Sequence, residues 1–126
     1  MKEGKYLRLS NISQYVESLA LANAVWKMVL KWDYFVKSSL GLQFVRAVDS
    51  ISANIAEGFG RYNKKDKIKF YCYAMGSAWE SMDWLQKAFV RDLISKEEYT
   101  AAMGRLKIIP KGIHILIKIT NAKLSD

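Results

Sequence analysis

Residues 44 to 61 carry two helical patterns at once, and few folds accommodate both. Phe44, Val48, Ile51, Ile55 and Phe59 recur at spacings of three and four, which draws one apolar stripe along a helix. Arg46, Ser50, Asn54, Glu57 and Arg61 recur at the same spacings on another face. A solvated face normally carries interchangeable Lys and Glu. A hydroxyl, an amide, a carboxylate and two guanidiniums can instead form a hydrogen-bonded network. Ala47, Ala53 and Ala56 lie between the stripes and let a neighbouring helix approach, after which Gly58 and Gly60 break the helix.

The rest of the chain repeats the helical period. It predicts a first helix over about 12–31, with Tyr15, Leu19, Ala22, Trp26 and Val29 on one side and Asn11 or Ser13 as the cap. Residues 32–37 read as a connection whose aromatics, Trp32, Tyr34 and Phe35, must bury somewhere. Ser38 or Ser39 can cap the second helix, 39–59. Asn63 caps a third, 64–92, with Asp66 suiting the dipole of its first turn. Its inward residues are Ile68, Cys72, Met75, Met82, Leu85 and Phe89, so the single cysteine reads as a buried small apolar group. Ser95-Lys96-Glu97-Glu98 has the form of a capping box opening a fourth helix, 96–123. Tyr99, Met103, Leu106, Ile109, Ile113, Leu116 and Ile117 form its apolar side, and Pro110 inside the pattern should bend or split it. Ahead of these helices, Tyr6, Leu7 and Leu9 read as an arm that docks.

Four amphipathic helices with short loops point to a single all-α domain over 1–126, an up-down-up-down antiparallel four-helix bundle. A hydrophobic fraction of 51% can fill one core, and a single proline argues against an all-β design. No stretch is apolar enough for a membrane span, and Met-Lys-Glu-Gly-Lys at the N-terminus lacks the apolar run of a signal peptide. The expected location is the cytoplasm.

The segment from Ser50 to Arg61, Ser-Ile-Ser-Ala-Asn-Ile-Ala-Glu-Gly-Phe-Gly-Arg, resembles the signature of a small four-helix-bundle family encoded in intervening sequences of bacterial 23S ribosomal RNA genes. The resemblance extends upstream through Leu40, Gln43, Arg46 and Ala47, and downstream through Phe70, Ala74-Met75-Gly76-Ser77, Glu80 and Leu85. It implies a barrel-shaped homopentamer. Related accessory proteins of diversity-generating retroelements bind nucleic acid and a reverse transcriptase, so either is an implied partner.

The polar stripe supports two readings. In the structural one, Arg46, Ser50, Asn54, Glu57, Ser77 and Glu80 meet between the second and third helices, where arginines satisfy carboxylates and Gly58 and Gly76 permit close approach. In the other, Glu57 and Glu80 form an acid/base or metal pair. The first is preferred, because bundle di-metal sites use Glu-x-x-His pairs and the single histidine, His114, lies far along the chain. There is no Cys/His cluster, phosphate loop or nucleophile triad, so the expectation is a non-enzyme without cofactor or metal.

The net charge of +8 favours polyanionic partners. Arg61, Lys64, Lys65, Lys67 and Lys69 bunch around the second loop, and Arg105, Lys107, Lys111 and Lys118 lie on a helix with no acid between Tyr99 and Ser125. These residues are the candidate contacts to RNA or DNA; the alternatives are an acidic protein partner or a merely solubilising role. Among the tryptophans, Trp79 and Trp84 sit five apart and cannot share a face, so either one faces outward or all four pack in the core.

Overall fold

The computed structural model describes residues 8–123, in which four long helices and no strand occur. Tyr6 and Leu7 of the expected arm lie outside the described residues. Helix α1 is Ser13–Leu30, preceded by a 3-10 turn at Leu9–Asn11. Helix α2 covers 34–60 and is built of Tyr34–Val36, a π-helical turn at Lys37–Gly41, and Leu42–Gly60. Helices α3 and α4 are Lys64–Val90 and Lys96–Lys123. Each helix packs on two others, α2 on α1 and α3, and α4 on α3 and α1, so their apolar faces meet in one bundle core.

Side chains cap the starts of three of the four helices. The Asp66 N–H donates to Asn63 Oδ1 at 2.9 Å. At the start of α4 the capping box is reciprocal, Glu98 N–H to Ser95 Oγ at 3.0 Å and Ser95 N–H to Glu98 Oε1 at 2.9 Å. Helix α3 ends in a Schellman motif: Leu93 N–H reaches the Ala88 carbonyl at 2.9 Å, Asp92 N–H reaches that of Phe89 at 3.0 Å, and Asp92 takes a φ of 59°. Two starts differ from expectation. Neither Asn11 nor Ser13 caps α1; Ile12 holds that position without a side-chain bond, and Asn11 Oδ1 accepts from the Arg8 N–H instead. Helix α2 begins at Tyr34 because Asp33 Oδ1 accepts from the Val36 N–H at 3.1 Å. Of the three aromatics in that segment only Trp32 is buried, while Tyr34 and Phe35 face outward.

The core of α2 follows the predicted stripe except at Phe59, which is half-buried: Phe44, Val48, Ile51 and Ile55 are fully buried, as are Leu106 and Ile113 of α4. Helix α3 turns differently. Its buried row is Tyr71, Ala74, Ala78, Ser81, Leu85 and Ala88. Small residues bring α3 close to its neighbours, so Met75, Met82 and Phe89 sit at the margins and Cys72 is exposed rather than buried. In α1 the buried residues are Ser18, Leu21, Ala22, Val25 and Val29, whereas Leu19 and Trp26 point away from the core. The buried Ser18 and Ser81 hydroxyls donate to the carbonyls of Tyr15 and Ser77 within their own helices.

Pro110 does not split α4, which is continuous from Lys96 to Lys123. A proline removes one helical N–H donor, and the long runs on both sides keep their own bonds and core contacts. Helices α1 and α2 approach closely at Gly41, where a Cβ would lie 2.7 Å from Val29 Cγ1.

Candidate nucleic-acid interface

The junction of α2 and α3 gathers five of the predicted basic residues, Arg61 in the loop and Lys64, Lys65, Lys67 and Lys69 in the first turns of α3, and the structure gives them unequal roles. Lys67 Nζ donates to the carbonyls of Phe59 at 2.8 Å and Gly58 at 3.5 Å. That ammonium closes the C-terminal end of α2, where orphan carbonyls and the helix dipole favour a cation. Burial holds the Lys67 pKa below its ordinary value. Arg61 pairs with Glu57 at 2.8 Å, and its guanidinium lies 4.5 Å from the Phe70 ring centroid. Lys64 is half-buried, and Lys65 and Lys69 are exposed.

Along α4, Lys107, Lys111 and Lys118 are exposed, together with His114. Their spacings of four, three and four put them on one outward row. Arg105 does not join them. It stands two residues before Lys107, about 200° of helical turn away, and is half-buried.

The polar network expected between α2 and α3 is replaced by bonds within each helix. Ser50 Oγ donates to the Arg46 carbonyl and Asn54 Nδ2 to the Ser50 carbonyl. Glu57 takes Arg61, four residues on, and Glu80 accepts from Trp84 Nε1 at 3.0 Å. Arg46, Glu57 and Glu80 are exposed, and Ser77 supplies its carbonyl to Ser81. Ser50, Asn54, Glu57 and Glu80 find their partners four residues away in the chain, and none of the charged groups is buried. The two glycines part company as well. Gly58 is buried against Tyr71, whereas a Cβ on Gly76 would meet nothing within 4 Å.

Among the described residues no cluster of three or more His, Cys, Asp or Glu is disposed to hold a metal, and no helix is long and apolar enough to cross a membrane. The tryptophans divide: Trp32 is buried, Trp84 half-buried, and Trp26 and Trp79 are 54% and 61% exposed. The feature missed in the sequence is a second apolar row on α1, Val16, Leu19, Trp26 and Leu30, exposed on the side of α2 that carries exposed Leu42. Its signal was present, because α1 is apolar on two faces and one bundle core can cover only one.

The model of the 23S rRNA-intervening sequence protein family matches residues 10–114, which takes in α1, α2, α3 and most of α4. The chain belongs to that family. The helices also superpose, with a TM-score of 0.74, on the crystal structure of a protein of unknown function from the S23 ribosomal protein family of Bacteroides thetaiotaomicron VPI-5482. That protein is 24% identical, over 83% of this chain and 98% of its own, so the likeness is one of fold. No curated protein matches this chain. The family match covers Lys107 and Lys111 of the basic row and stops at His114.

Proposed function

We propose that this member of the family is a non-enzymatic, cytoplasmic, homo-oligomeric bundle that binds nucleic acid through its basic surface. The observation that carries the reading is the outward row of Lys107, Lys111 and Lys118, on a stretch of α4 that holds no acid after its first turn. Phosphates neutralised by such a row bind with little sequence preference and with steep salt dependence. Lys65 and Lys69 extend the surface onto α3, while Lys67 and Arg61 serve the α2 terminus.

In this reading the helices alternate in direction, up-down-up-down, and the exposed apolar row of α1 is covered by a second copy. Five copies, the number the family resemblance implies, would repeat the lysine rows about an axis and sum their field. A protein such as a reverse transcriptase seated on the same α1 face is the alternative. The binding test is retention of labelled RNA and DNA at two salt concentrations. Retention that falls steeply with salt supports the proposal, and no retention at low salt rejects it. Light scattering of the purified chain separates self-association from a face reserved for another protein.

A further inference from the structure

Trp79 is a large indole left 61% exposed on α3. It belongs to the row Met75, Trp79, Met82 and Gln86, at spacings of four, three and four. That row borders α4, since Gln86 Oε1 accepts from the Tyr99 hydroxyl at 2.7 Å and Phe89 stacks on Tyr99 at 4.4 Å. Towards the other end of the pair, Tyr71 and Leu116 line one cleft. Counting ten residues back from Phe89 and ten forward from Tyr99 sets Trp79 level with Ile109, between Lys107 and Lys111. On α4 the half-buried Met103, Pro110 and Ile117 border α3, and the outward row of Lys107, Lys111, His114 and Lys118 lies beyond them.

The indole therefore has the α4 lysine row on one side and, one turn on along α3, Asp83 paired with Lys87 on the other. Helical side chains lean over the preceding turn, which for Trp79 is the turn containing Gly76, where a Cβ would meet nothing within 4 Å. Met75, four residues back in the same row, is its neighbour on that turn. By contrast, the α1 patch around Trp26 and Leu30 is bordered by Leu42 and Val45, a setting suited to a protein surface.

We infer that the exposed α3–α4 surface binds single-stranded nucleic acid, with an unpaired base stacked on Trp79 and the adjoining phosphates held by Lys107, Lys111 and Lys118. A duplex already stacks its bases on one another and would use the lysines alone; an unpaired base has a free face for the indole. The inference rests on the nucleic-acid reading above and adds its ligand class.

The test uses the full chain with labelled single strands of about 12 nucleotides, oligo-U and oligo-dT, and a duplex of the same length. Trp79→Ala should weaken single-strand binding about tenfold while leaving duplex binding within about twofold, and Trp79→Phe should restore part of the loss. Lys107→Ala with Lys111→Ala should weaken both. The two single strands report whether the sugar matters. An unchanged single-strand affinity in Trp79→Ala, an equal loss on duplex, or a changed molar mass by light scattering would overturn the stacking role, the last by placing Trp79 between copies. If the unaltered chain binds neither probe at about 50 mM salt, it is the nucleic-acid reading itself that fails.

Discussion

The Tyr71 ring closes on the α-carbon of Gly58: a Cβ built there would sit 2.7 Å from Tyr71 Cε1 and 3.0 Å from the Lys67 carbonyl oxygen. Both obstacles are fixed, one a buried ring and the other backbone. Gly58→Ala should therefore destabilise the fold by about 1–2 kcal/mol, because overpacking outweighs the gain in helix propensity. Gly104→Ala, on α4 where a Cβ meets nothing, should stabilise by roughly 0.5–1 kcal/mol. Urea midpoints of the two variants should move in opposite directions; a shift in the same direction refutes the assignment of Gly58 as a packing glycine.

The capping box of α4 joins Ser95 and Glu98 through two bonds to backbone N–H groups. Ser95→Ala leaves the Glu98 N–H without its partner and should cost about 1 kcal/mol. Thermal unfolding of this variant beside Ser95→Asp, which can still cap, checks the mechanism. Equal losses in the two would argue against it.

Asp92 occupies the left-handed region at the C-terminal end of α3. Glycine adopts that conformation without steric penalty, so Asp92→Gly should raise stability by about 0.5–1 kcal/mol. Calorimetry should show a melting temperature higher by about 2–5 °C. A lower value would mean the aspartate side chain compensates locally.

Tyr71 is 3% exposed, and burial pushes its phenol pKa above the usual 10. A raised folded pKa gives stability that is full below the unfolded value and is lost as pH rises through the folded one. Stability should thus fall above pH of about 10, as the unfolded chain releases this proton first. Lys67, whose pKa is lowered, acts with the opposite sign in the adjoining range. Comparing the unaltered chain with Tyr71→Phe isolates the phenol: the variant should lose less stability between about pH 9 and 11. Parallel curves would show that Tyr71 is not responsible.

Trp26 and Leu30 on α1 are about half exposed and contribute little to the interior of a single chain. Replacing both with serine should leave the helical circular dichroism intact while lowering the molar mass measured by light scattering. Loss of helicity together with mass would instead make this row part of the fold.

Much of this fold is legible residue by residue. The α2 stripe and the apolar side of α4 could be read because each helix is apolar on one side, so only one rotation buries its large residues. The Asn63 cap and the Ser95–Glu98 box could be read because capping is local chemistry. The polar stripe from Arg46 to Glu57 was misread for a related reason. Local spacing placed its members on one face but could not say what faced them, and their neighbours four residues away became their partners.

Sequence alone determined that this chain is helical, where two of its helices cap, and that positive charge crowds α4. Period, capping and composition act over a few residues and need no knowledge of the neighbours. Which faces of α1 and α3 turned inward was settled by packing. Both helices offer more than one apolar row, and the choice fell to the small residues, Ala22 and Ser18, Ala74 and Ala78, that let the backbones come close. That choice left Trp26 and Trp79 outside, and with them the two surfaces on which function is proposed to depend.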